Sequence, residues 1–178
     1  MGAKAIQHYA RKKEAESVQV GIVMGSDSDF PAMKAAADFL QSMGISCEVV
    51  VASAHRTPEK AAGYAQTARQ RGLKAIIAGA GMAAHLAGVL AAHTDLPVIG
   101  VPLDASSLGG IDALLSTAQM PPGVPVATMG IGRAGAKNAG VFVARMLAVE
   151  NRELAGKMVK YKKSMVAEVE AKAKNVSL

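Results

Sequence analysis

The run Ser53-Ala54-His55-Arg56-Thr57-Pro58 sets an acid/base side chain beside an anion-binding one. Histidine ordinarily exchanges a proton near neutral pH, and arginine holds phosphate or carboxylate oxygens through paired, charge-assisted hydrogen bonds. The run follows Ile45–Val51, an apolar, β-branched stretch that reads as a buried strand. It precedes Pro58-Glu59-Lys60, which opens a helix with proline in its first position and an acid in its first turn. Thr57 is the expected N-cap. In a parallel sheet such a loop lies beyond the carboxyl end of a strand, where open α/β folds bind ligands.

Other strand tips carry similar material. In Gly25-Ser26-Asp27-Ser28-Asp29 a glycine permits a tight turn, and two hydroxyls and two carboxylates crowd a helix N-terminus. Hydroxyls and backbone N–H groups there can hold a phosphate, and a carboxylate can hold a ribose hydroxyl. The plainer reading is that Ser28 or Asp29 caps the helix. Without a G-x-G-x-x-G pattern or a P-loop lysine, a mononucleotide fits better than a dinucleotide. The run Ala78-Gly79-Ala80-Gly81-Met82-Ala83-Ala84-His85-Leu86 is a loop of small residues that lets backbone approach a ligand. His85 there is by itself more often a buried structural histidine. His93 lies near a helix end and His8 in the tail. Gly130–Asn138 is a flexible entry to a helix, and Gln119–Pro125 a rigid proline-rich turn.

The elements that must position these tips alternate along the chain. Strand-like runs at Val18–Met24, Ile45–Val51, Lys74–Ala78, Pro97–Val101 and Pro125–Ile131 are interleaved with helices at Pro31–Met43, Pro58–Arg71, Ala83–Ala92, Gly110–Ala118 and Gly135–Val149. Near-continuous apolar strands between alanine-rich helices predict a parallel sheet covered on both faces, a three-layer α/β domain. The division expected is a tail over 1–17, a domain over 18–149 and a helical extension over 150–178. In that extension Leu154, Met158, Tyr161, Met165 and Val169 form an apolar stripe able to cover the domain or a neighbouring subunit.

Composition narrows the function classes. With 178 residues, 51% of them hydrophobic, one domain can bury roughly 70% of its unfolded surface. No run approaches the ~20 apolar residues that cross a membrane, and the first seventeen residues lack a signal-peptide core, so a cytoplasmic protein is expected. The lone Cys47 sits within an apolar strand and reads as a buried thiol. The net charge of +6 is concentrated at the ends: residues 1–17 carry four Lys/Arg against two acids, residues 150–178 seven against four, and the body nine against eight. Solvated flanks account for this better than a nucleic-acid surface.

Six motifs in order resemble the PurE family of purine biosynthesis. They are V-x-I-V-M-G-S-D-S-D ending at Asp29, S-A-H-R-T-P from Ser53, A-G-A-G-x-A-A-H-L from Ala78, V-I-G-V-P from Val98, Q-M-P-x-G-V-P-V-A-T from Gln119 and G-A-K-N-A from Gly135. The resemblance implies a flavodoxin-like three-layer αβα domain, assembled as a homo-octamer. It implies action on aminoimidazole ribonucleotides without metal or organic cofactor. By resemblance, Ser26, Ser28, Asp29, Ser53 and Arg56 hold phosphate and ribose, His55 is the general acid and base, and His85 is the family's second histidine. The backbone from Ala80 to Ala83 surrounds the migrating carboxyl group, and Gly79, Ala80 and Gly81 count among the substrate-binding residues so implied.

The family chemistry so implied has two branches. A mutase releases CO2 from N5-carboxyaminoimidazole ribonucleotide, traps it and recombines it at C4; a carboxylase takes dissolved CO2 directly. Arg56 and Pro58 resemble the mutase loop, whereas the carboxylase loop usually reads S-A-H-K-T. Three departures stand out: Met82 where mutases usually have a second glycine, Ala87 where they have proline, and Phe30 where they have tryptophan. A related nucleotide carboxylase and a non-catalytic nucleotide-binding module are the alternatives. His55 discriminates, because a binding module needs no proton carrier.

Overall fold

The computed structural model describes residues 18–176. In chain order it contains β1 (Val20–Met24), α1 (Phe30–Met43), β2 (Cys47–Val51), α2 (Pro58–Ala68), β3 (Ala75–Gly81), α3 (Leu86–Ala92), β4 (Val98–Leu103), α4 (Ile111–Ala118), β5 (Ala127–Thr128), α5 (Gly132–Ala148) and α6 (Arg152–Ala173). The expected tail over 1–17, with His8, lies outside the described residues.

All five strands pair in parallel in the order β2-β1-β3-β4-β5. This is the flavodoxin-like arrangement, in which the chain leaves β1 toward one edge and β3 toward the other, opening a crevice between them. Successive strand residues go to opposite faces, so the apolar strands feed two cores. Val20, Ile22, Met24, Ile77, Ile99 and Val101 pack under α1 and α5, while Val23, Ile76, Ala78 and Val98 pack with residues of α2 and α3. Burying each such isoleucine or leucine contributes about 1.5–3 kcal/mol. Small residues let α5 approach α1 closely: a Cβ on Gly140 would lie 3.0 Å from the Ala36 carbonyl oxygen.

The structure moves several expected boundaries. β3 and β4 each run further than expected, because Gly79, Ala80 and Gly81 pair with Val101, Pro102 and Leu103 instead of forming a loop. The fifth strand shrinks from Pro125–Ile131 to two residues, since Pro125 has no N–H to give and the chain turns away after Met129 N–H reaches the Gly100 carbonyl. α1 ends as expected on Gly44, which takes the left-handed conformation at φ 81°. α2 stops at Ala68, short of Arg71.

Asn151 caps α6 by accepting a hydrogen bond from Leu154 N–H at 2.9 Å. Leu154 and Met158 are buried, and Tyr161 meets Phe39 edge to face at 5.0 Å. The stripe then leaves the body: Val169 is exposed. Cys47 is buried, and desolvation, helped by Asp38 and Glu48, pushes its thiol up to about 11. That is the buried thiol expected of it. Among the described residues no helix is long and apolar enough to cross a membrane.

Candidate active site

A cleft of about 550 Å³ opens at the carboxyl ends of β1 to β4. Its first wall begins where β1 ends. Ser26 starts a single 3₁₀ turn, Asp27–Asp29, through a reciprocal cap: its Oγ accepts from Ser28 N–H at 3.3 Å, and Asp29 Oδ2 accepts from Ser26 N–H at 3.0 Å. The cap expected of Ser28 or Asp29 thus belongs to Ser26, with Asp29 reciprocating; Asp29 makes no side-chain cap to α1 itself. Ser28 Oγ donates to Ser26 Oγ at 2.9 Å. Burial raises the Asp29 carboxyl above its ordinary value, although Ser26 N–H and the Arg56 guanidinium oppose this.

The second wall is the loop after β2. Ser53 Oγ accepts from the backbone N–H groups of His55 (3.3 Å) and Arg56 (3.1 Å), which turns both side chains outward. Thr57 stands at the N-cap of α2 but does not cap it. Its hydroxyl closes the loop instead, donating to the Ser53 carbonyl and accepting from Ser53 N–H at 2.9 Å. Arg56 then donates to the Gly25 carbonyl at 2.8 Å, tying this loop to the first. The result is one polar surface of serine hydroxyls, a carboxylate and a guanidinium.

The opposite wall is apolar. Ala80, Gly81, Met82, Ala83 and Leu86 come from β3 and the chain beyond it, and Ala105 from the loop after β4. A Cβ on Gly81 would fall 2.5 Å from that of Ala105, so glycine is what lets the two loops meet. Ala84 N–H donates to Ser116 Oγ of α4 at 3.0 Å, and the helix expected from Ala83 begins only at Leu86. Met82 is held at φ 56°, a left-handed conformation that costs a non-glycine residue about 1–3 kcal/mol.

His55 joins the walls. Its Nε2 lies 2.9 Å from His85 Nδ1, one nitrogen donating and the other accepting, with the rings edge to face at 86°. Both histidines are exposed, so His85 is not the buried structural histidine its apolar surroundings suggested. An imidazole held by a second imidazole, beside an arginine and across from an apolar wall, can pass a proton to and from an anionic ligand.

Of the residues singled out in the sequence, Ser26, Ser28, Asp29, Ser53, His55, Arg56, Ala80 and Gly81 line the cleft, and His85 reaches it through His55. Gly79 does not line it. It is buried in β3, where a Cβ would lie 2.4 Å from Met33 Sδ, and its carbonyl accepts from Gly25 N–H. Its role is packing and loop registry. Ala105 was missed. The signal available was its place just past the end of β4, the same position in the fold that marks the other three loops.

Comparison with known proteins agrees with this architecture. The AIR carboxylase family model matches residues 19–168. The N5-carboxyaminoimidazole ribonucleotide mutase of Thermotoga maritima is 52% identical over 158 residues, 89% of this chain and 91% of that protein. The mutase of that name from Bacillus subtilis is 56% identical over 139 residues, 78% of this chain and 86% of that protein. The crystal structure of Treponema denticola PurE matches with a TM-score of 0.79 at 26% identity, over 90% of this chain and 99% of that one. Since the family model spans most of the chain and these mutases are more than half identical over nearly all of their own length, the chain belongs to the AIR carboxylase (PurE) family.

Proposed function

We propose that the protein is an N5-carboxyaminoimidazole ribonucleotide mutase, forming 4-carboxyaminoimidazole ribonucleotide through a trapped CO2. The observation that carries this reading is the two-sided cleft: anion- and hydroxyl-binding groups on one wall, small apolar residues on the other, and His55 between them. The names of relatives about half identical to the chain support it. Ser26, Ser28, Asp29, Ser53 and Arg56 take the phosphate and ribose. His55 gives a proton to the exocyclic nitrogen as its bond to the carboxyl carbon breaks. The freed CO2 forms a bond to C4, and His55 removes the C4 proton. His85 orients the His55 ring. The dry wall from Ala80 to Ala83 excludes water and keeps CO2 beside its target, which avoids a bimolecular encounter.

Residues 18–149 serve as the catalytic body and 150–178 as its extension in this reading. The enzyme works in the cytoplasm as a homo-octamer. Support for assembly comes from the exposed apolar residues Leu108, Ile111 and Leu115 in and just before α4 and Val166 and Val169 on α6.

The test is turnover of N5-carboxyaminoimidazole ribonucleotide by the purified protein, without ATP or added metal, in labelled bicarbonate. Rapid formation of the 4-carboxy product with little label is expected. Labelled product from aminoimidazole ribonucleotide alone would make it a carboxylase, and no product from either would leave a nucleotide-binding module.

A further inference from the structure

Met82 differs from every other residue of the apolar wall. Its backbone is left-handed, yet the residue is 60% exposed, so burial does little to offset the strain. The chain around it dictates the conformation. Gly81 is fixed by pairing with Leu103, Ala84 N–H is fixed on Ser116, and His85 N–H turns back to the Ala83 carbonyl at 2.8 Å. Residue 82 must make the turn between these anchors whatever side chain it carries. Glycine would do so without strain.

More than half of the residue's surface is therefore open in the single chain. Its neighbours on the wall are Ala80, Ala83 and Ala105, which have short side chains, and Leu86, which is already buried in the core. None of them spans the cleft. Methionine has three rotatable bonds and an adaptable thioether, and it starts from the rim.

We propose that Met82 is a retention-determining residue: with ribonucleotide bound, its side chain folds over the apolar half of the cleft and closes the carboxyl pocket against water. The inference rests on the mutase reading. Between scission of the carbon–nitrogen bond, with its proton from His55, and formation of the C4–carbon bond, the intermediates are CO2 and aminoimidazole ribonucleotide. A CO2 that escapes leaves that ribonucleotide behind, and the product then takes its carbon from solution.

The experiment compares the intact wild-type protein with Met82→Gly and Met82→Leu on N5-carboxyaminoimidazole ribonucleotide in labelled bicarbonate. Met82→Gly is expected to release free aminoimidazole ribonucleotide and to raise the labelled fraction of product severalfold. Its thermal midpoint should rise by a few degrees as the left-handed strain is relieved, which separates leakage from unfolding. Met82→Leu keeps the strain and an apolar cover, so its labelled fraction should stay near wild type. An unchanged labelled fraction in Met82→Gly, with wild type turning over, overturns the role of Met82 alone. A wild-type protein inert toward the substrate overturns the mutase reading and this inference with it.

Discussion

The polar wall of the cleft is closed mainly by hydrogen bonds between residues two to four apart, as in Ser26–Ser28, Ser26–Asp29, Ser53–His55, Ser53–Arg56 and Ser53–Thr57. The apolar wall is closed by contacts across the fold: Gly81 against Ala105, and Ala84 on Ser116, which is 32 residues away. The difference bears on function. Short-range bonds fix side-chain direction, which a phosphate and a proton carrier require. Long-range packing of small residues creates a dry surface whose shape depends on the whole sheet. On the polar side, Arg56, donating to Gly25 across 31 residues, and the His55–His85 contact across 30 bring distant loops of the site together through side chains.

The largest effect should come from the residue between the walls. His55→Asn is expected to cut kcat by about 10²–10⁴-fold while ribonucleotide binding, followed by calorimetry, changes little. Near-normal turnover in that variant would remove the proton carrier and with it the distinction between the walls. Arg56→Ala should act on affinity first, weakening binding by about 1.5–3 kcal/mol, the contribution of a charged hydrogen-bonded contact. If the Kd stays put, the anion is held elsewhere. Changes on the apolar wall should instead move carbon retention and leave affinity near its starting value, which the Met82 variants read directly.

The smallest expected effect concerns stability and pH. Burial holds the Asp29 carboxyl above its ordinary value of 3.8, so as pH rises the unfolded chain gives up this proton before the folded one does. Across that window the native state binds more protons, and stability falls as pH increases. Asp29→Asn keeps an oxygen for Ser26 N–H but has no proton to lose. Relative to that variant, the thermal midpoint of the wild type should drop as pH climbs through the window and stay lower above it. A rise instead would mean that Ser26 N–H and Arg56 outweigh burial at this site.

How much of this was readable in advance follows the same division. The alternation of apolar runs with alanine-rich helices gave the three-layer sheet, because period-2 and helical patterns are local properties of the chain. The polar tips were readable for a like reason, since Ser, Asp and Thr near a turn hydrogen-bond to backbone a few residues away. The assignment among them was not. Thr57 looked like a cap and proved to be a loop clasp, and the cap near Asp29 belonged to Ser26. Several oxygens within one turn compete for the same N–H groups, and backbone angles choose among them.

Ala105 and Gly79 went unrecognised in their true roles because an alanine and a glycine carry no chemistry of their own. Their meaning comes from what they touch, which is Gly81 in one case and Met33 in the other. The reach of β3 past Ala78 depended likewise on pairing with β4, which no window of residues contains.

By itself the sequence determined the order of elements, the parallel sheet and the loop bearing His55 and Arg56, because periodicity, turn chemistry and side-chain type act over a few residues. Tertiary structure alone decided that His85 meets His55 at 2.9 Å, that Ala105 closes on Gly81 and that Met82 turns left-handed at the rim. Each of those depends on how neighbouring strands place their ends in space, a relation set by sheet order and packing.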